Sequence, residues 1–183
     1  MKNLENIKQN QDNLFLEKIV FEPAICKDEN FCVVDDINPI IPGHLLLFPL
    51  IQASSFADCS INQLISFFDT FFSKVKENKG YMLFERGRAN FCSSFNGVVH
   101  AHGHLIPSAL CSGVTFDVGT IIKYESLREA LEAIPSKSKE EYLLWGDVQG
   151  KFNLIYPLSL APKRMIRNTL TKTITREKLI SGK

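Results

Sequence analysis

The sequence predicts an α+β domain built on an antiparallel β-sheet, with helices packed mainly on one side. Three observations predict it. Short apolar runs are separated by turns bearing proline or glycine, which return the chain on itself instead of crossing over. One long stretch, residues 61–77, has apolar residues at helical spacing throughout. With 183 residues, 45% of them hydrophobic, and no repeat, linker or low-complexity run, the chain is long enough for one core and is expected to be a single domain over 1–183.

The elements follow in order. Residues 14–21 read as a strand, or as a short helix and strand, ended by Pro23; periodicity does not decide between them. Residues 31–36 form a buried strand running into the Asn38-Pro39 turn, Pro42-Gly43 turns again, and residues 45–48 return as the antiparallel partner. This hairpin places Asp36 and His44 at its mouth. Ser60 and Gln63 have the form of a capping box opening the helix at 61–77, and Gly80 is placed to stop it. The phenylalanines on that helix are the core stripe any sheet-covering helix needs. Residues 81–85 read as a strand, 86–97 as a polar loop and 98–107 as another strand. A helix at 127–134 is closed by Pro135, strands at 142–145 and 152–156 flank a turn, and a last helix at 163–171 takes Pro162 into its first turn.

Charge and cysteine content exclude several classes. The formal charge is +1, so nucleic-acid binding by bulk electrostatics is not expected. Residues 163–183 carry seven Lys or Arg against Glu177, a +6 segment on a −5 remainder; it reads as a basic terminal helix or solvated tail, with phosphate contact as the sharper alternative. Five cysteines without a CxxC pair argue against a disulfide framework or a zinc knuckle and suit reduced thiols in a cytoplasmic protein. The polar start of the chain lacks a signal-peptide core, and no run is long enough to span a membrane.

The stretch Val98-Val99-His100-Ala101-His102-Gly103-His104-Leu105-Ile106-Pro107 holds three of the four histidines, and His44 is the fourth. In an extended strand alternate side chains share a face roughly 6–7 Å apart, so one strand would present three imidazoles together. Like charges disfavour protonation, and His102, flanked on both sides, is the one expected to stay neutral with a free lone pair. Three readings compete. Alternate histidines suit zinc, which would make the chain a metal-dependent hydrolase. As hydrogen-bonded core residues, each would need a buried partner of its own. Nucleophilic catalysis on a phosphoryl group uses all four histidines.

These residues carry a family resemblance. His100-Ala101-His102-Gly103-His104-Leu105-Ile106 resembles the signature of the histidine triad (HIT) superfamily of nucleotide hydrolases and transferases. Asp36-Ile37-Asn38-Pro39 and Pro42-Gly43-His44-Leu45-Leu46-Leu47-Phe48-Pro49 resemble its other hallmark, a strand, turn and strand before the triad. The core motifs cover residues 31–107, and Phe84-Glu85-Arg86-Gly87 resembles a Phe-Glu-His-Gly segment of a bacterial HIT-like branch.

The resemblance implies a HIT-like fold and a nucleotide hydrolase in which His102 attacks the α-phosphorus of a nucleoside phosphate, dinucleoside polyphosphate or nucleotide conjugate. A covalent nucleotidyl-histidine forms, and water, or another acceptor in a nucleotidyltransferase, releases the nucleoside monophosphate. It further implies that His100 and His104 orient the nucleophile and bind phosphate oxygens, with His44 completing the network. Asp36 would accept from the ribose hydroxyls, Val34 and Leu46 would wall the base, and Asn96 would face the phosphate, with Asn90 the alternative in the same loop. No metal ligand or cofactor is required, a divalent ion being allowed on the substrate phosphates, and a homodimer is carried over from the family. Two departures bear on this: Gly97 stands where many members have Ser or Thr, and Gly103 replaces a bulkier residue. His104, glutamine in the transferase and phosphorylase branches, points to hydrolysis. The non-enzymatic alternative is a nucleotide-binding module.

Overall fold

The computed structural model describes residues 24–75, 80–88, 100–111, 113–136, 138–159, 161–162 and 164–181, the last six of these without side chains. The expected element at 14–21 lies outside them. Eight strands form one sheet: β1 (Cys26–Lys27), β2 (Phe31–Asp35), β3 (Leu45–Pro49), β4 (Tyr81–Gly87), β5 (Gly103–Pro107), β6 (Ile122–Tyr124), β7 (Tyr142–Asp147) and β8 (Phe152–Ile155). Their spatial order is β1-β2-β3-β5-β4-β7-β8-β6, and every neighbouring pair is antiparallel. Three helices accompany it: α1 (Ile61–Lys74), α2 (Leu127–Glu132) and α3 (Met165–Ser181).

The predicted hairpin is β2-β3, in register from Phe31 opposite Pro49 to Asp35 opposite Leu45. At its mouth the Asp36 amide donates to the His44 carbonyl at 3.1 Å, and Gly43 takes a φ of +80°, a backbone conformation few other residues adopt. Pairing continues from β3 to β5, with Leu46 opposite His104, and from β5 to β4, with His104 opposite Phe84. Because side chains alternate, Val34, Leu46, His104, Phe84 and Trp145 form one row on a single face.

The other face carries Val33, Leu47, Leu83, Leu105, Leu144 and Phe152 against α1 and α2. The Ser60 hydroxyl accepts from the Gln63 amide at 3.5 Å to open α1, which buries Leu64, Phe67, Phe68 and Phe71. Each such side chain contributes about 1.5–3 kcal/mol relative to exposure. The helix ends at Lys74, earlier than Glu77, because Val75 already turns extended; Gly80 follows too late to be its stop.

The face bearing His104 is covered by α3. Met165, Ile166, Leu170 and Ile174 pack on Phe84, Leu143, Trp145 and Ile155. Thus two helices lie on one side and the third on the other, and residues 165–174 of the basic C-terminal segment are packed helix. The helix is longer than the expected 163–171, and it begins at Met165, which leaves Pro162 outside its first turn. The sheet edges are β1 and β6, of two and three residues, short enough to offer little template for edge pairing.

Candidate active site

The strand carrying the histidines starts later than its sequence suggests. β5 opens at Gly103, so His104 lies in the strand while His100 and His102 lie in the segment leading into it. The ladder with β3 stops at Leu47 opposite Gly103, and beyond it the Ala101 amide turns away to the Ala53 carbonyl at 2.8 Å. Gly103 is required by close approach. A Cβ there would sit 2.5 Å from Leu83 Cδ1 and 2.8 Å from Phe56 Cε2.

Backbone partners fix the imidazole tautomers. His100 is buried and its Nε2–H donates to the Pro49 carbonyl at 2.6 Å. His102 Nδ1–H donates to the His100 carbonyl at 3.0 Å, an acceptor in its own segment and not on the adjacent strand. A carbonyl can only accept, so the proton is on Nδ1 and the Nε2 lone pair is free. His44 Nδ1 accepts from the Ile40 amide at 3.1 Å, which puts its proton on Nε2. That Nε2–H lies 2.9 Å from His104 Nδ1, making His104 Nδ1 an acceptor and leaving the His104 proton on Nε2. The ring centroids of His44 and His104 are 5.1 Å apart, and those of His102 and His104 5.5 Å.

Burial keeps the His44, His102 and His104 rings neutral. It pushes His44 down to about 4, with the Asp36 carboxylate opposing and the Arg167 guanidinium adding to the fall. It also lowers His102, against the pull of the His100 carbonyl, and takes His104 well below the ordinary histidine range, helped by His102, His44 and Arg167. His102 therefore presents a nucleophilic nitrogen at neutral pH, and His104 presents an N–H donor beside it.

Asp36, expected to meet the ribose, already has protein partners in the folded chain. Its side chain is 2% exposed, Oδ1 accepts from the Asn38 amide at 2.7 Å, and Oδ2 accepts from Arg167 of α3 at 2.6 Å. His44 Nε2 stands 3.3 Å from the same Oδ2. The carboxylate is thus committed to Arg167 and the hairpin mouth, and a ribose diol would have to displace the guanidinium to reach it. Charge alone does not single out Arg167, one of seven Lys or Arg in residues 163–183. The signal available was Ile166, Leu170 and Ile174 at spacing four.

Each of the three histidines of this segment has one ring nitrogen engaged, His100 by the Pro49 carbonyl, His102 by the His100 carbonyl and His104 by His44. Asp36, His44 and His104 do bring ligand-type atoms within 4.8 Å of one another. However, the nitrogen His44 would offer already bears a proton, and the Asp36 oxygen already faces a guanidinium.

Val34 and Leu46 stand opposite one another in the row that continues through His104, in a small apolar cluster with Cys32, Phe48 and Leu50. Val34 is buried and Leu46 half-buried, so Leu46 is the more accessible wall. Asn96, Asn90 and Gly97 lie outside the described residues.

Beneath the histidine segment, Glu85 is buried. It accepts from the Phe56 amide and the Tyr142 hydroxyl, each at 2.7 Å, and burial raises it to about 8. These bonds hold the 3-10 turn Phe56–Asp58, three residues beyond the Ala53 carbonyl that receives the Ala101 amide.

Two solved structures of yeast Ap4A phosphorylase, one in complex with AMP, are similar to the chain at 12% identity, with TM-scores of 0.42 and 0.41. The match covers 70% of this chain and 56% of theirs, so the chain corresponds to little more than half the length of those proteins. No curated protein matches it in sequence. The family model described as HIT domain matches residues 21–109, a span that includes the hairpin, α1, β4, β5 and all four histidines. Residues 21–109 thus match the HIT domain, the family that the histidine and hairpin motifs resemble.

Proposed function

We propose that the protein hydrolyses a nucleotide at its α-phosphate through a covalent His102 intermediate. The observation that carries this reading is the hydrogen bond from His102 Nδ1–H to the His100 carbonyl, which leaves the Nε2 lone pair available at neutral pH. In the first step that lone pair forms an N–P bond while the bond from phosphorus to the leaving oxygen breaks. The leaving group departs with the electron pair and takes up a proton. In the second step water attacks phosphorus, the N–P bond breaks, and a nucleoside monophosphate is released as His102 recovers its lone pair.

His104, whose ring centroid lies 5.5 Å from that of His102, would bind a phosphoryl oxygen through its Nε2–H, where charge builds during attack. His100 acts by position: its ring is anchored on Pro49 and its carbonyl holds the His102 proton. His44 completes the network by donating to His104. Leu46, with Val34 behind it, provides an apolar wall for the base beside the phosphate site. No step requires a metal held by the protein; a divalent ion would travel with the substrate phosphates.

The test is His102→Asn assayed with adenine and guanine nucleotide conjugates. Turnover should fall at least about 10³-fold while calorimetry still detects nucleotide binding, since removing a nucleophile leaves binding groups in place. Intact mass measurement of the wild type after brief exposure should show an adduct of one nucleotide. Retained turnover in the variant would sink the mechanism.

A further inference from the structure

Arg167 reaches the histidine centre from α3, beyond the residues matched by the HIT domain. Its place on the helix is set by the burial of Met165, Ile166, Leu170 and Ile174 against the sheet. The guanidinium forks: one amino group donates to the Asn38 carbonyl at 2.5 Å, the other to Asp36 Oδ2 at 2.6 Å. Since Asp36 Oδ1 already accepts from the Asn38 amide, the fork clamps residues 36–38 at the hairpin mouth that leads to His44.

The clamp decides a competition. His44 Nε2–H has two acceptors in range, His104 Nδ1 at 2.9 Å and Asp36 Oδ2 at 3.3 Å. A free carboxylate is the stronger acceptor and would also favour a charged imidazole. A carboxylate engaged by a guanidinium is weakened in both respects. We propose that Arg167 is a positioning residue of the catalytic centre: by holding Asp36 it commits the His44 proton to His104, so that His104 keeps its own proton on Nε2, beside His102. The charged and titratable groups around this relay are Asp36 and His44 from the hairpin, His100, His102 and His104 from β5 and its lead-in, and Arg167 from α3. The consequence for rate rests on the function proposed above. The consequence for proton placement does not, and it can be read without turnover.

With four histidines in the chain, ¹⁵N spectroscopy of the imidazoles resolves each ring. In the wild type at pH 7, His102 should show the Nδ1–H tautomer, and His44 and His104 the Nε2–H tautomer. In Arg167→Gln the Asp36 carboxylate is released, and the titration midpoints of His44 and His104 should rise by about one pH unit or more. Adding Asp36→Asn to that variant should bring them back down. If Arg167→Gln does not fold, Asp36→Asn alone serves: removing the carboxylate while keeping Arg167 should lower both midpoints. Midpoints and tautomers that stay at their wild-type values in whichever variant folds would overturn the proposal. Turnover retained by His102→Asn, by contrast, would remove the proposed reaction and leave this relay standing.

Discussion

At the scale of single residues, the legible part was residue type and spacing. Three alternate histidines and a fourth after Pro-Gly point to one shared site, and the folded chain brings the rings of His44, His104 and His102 within 5.1 and 5.5 Å of one another in turn. What spacing could not supply was where each proton sits. That depends on the Pro49 carbonyl, the His100 carbonyl and the Ile40 amide, backbone groups whose direction only the folded chain defines. Buried ionisable groups now make opposed contributions to stability. Glu85 titrates near 4.5 when unfolded and about 8 when folded, so its contribution is full below pH 4.5 and is lost as pH rises through 8. His44 moves from 6.5 to about 4, so its contribution is present above pH 6.5 and is lost as pH falls through 4. Glu85→Gln retains an acceptor for the Phe56 amide and cannot titrate. Urea unfolding at pH 5 and pH 8 should therefore show a smaller loss of stability with rising pH in Glu85→Gln than in the wild type; equal losses would mean that Glu85 is ionised in the folded protein.

At the scale of elements, the hairpin, α1, α2 and the β7-β8 pair were legible because each has local punctuation: Pro42-Gly43, the Ser60 cap, Pro135 after α2 and the turn ending at Gly150. The start of β5 was not, because the strand gives way where the Ala101 amide leaves the ladder for Ala53, a long-range contact. The two- and three-residue strands β1 and β6 lack enough residues for a pattern. Gly103 separates two accounts of its place in the triad. Were it simply a weak point in a strand, Gly103→Ala would stabilise the protein by about 0.5–1 kcal/mol. The contacts with Leu83 and Phe56 reverse the sign: the added methyl meets fully buried side chains and should destabilise by about 1–3 kcal/mol, measurable as a lower urea midpoint.

At the scale of the whole molecule, the sheet has two covered faces, and the one that holds the histidine centre depends on the last helix of the chain. A basic segment reads as solvated when its charges are counted, and as a packed helix when its apolar residues are placed on a wheel. The structure realises the second pattern and spends Arg167 of the first on Asp36. Leu170 is fully buried there, and Leu170→Ala should cost about 2–5 kcal/mol, the range for an aliphatic side chain cut back inside a core. The single tryptophan, Trp145, is 3% exposed in the same layer and reports on it directly. A chain ending before residue 163 would open Trp145, Phe84 and Ile155 to water. Its fluorescence should shift to the red and its thermal transition should fall or broaden, whereas a tail that merely trailed in solvent would leave both where they were. Because the same helix carries Arg167, that truncation should also alter the His44 and His104 titrations, while Leu170→Ala, which keeps the guanidinium, should lower stability with the imidazole midpoints held near their wild-type values.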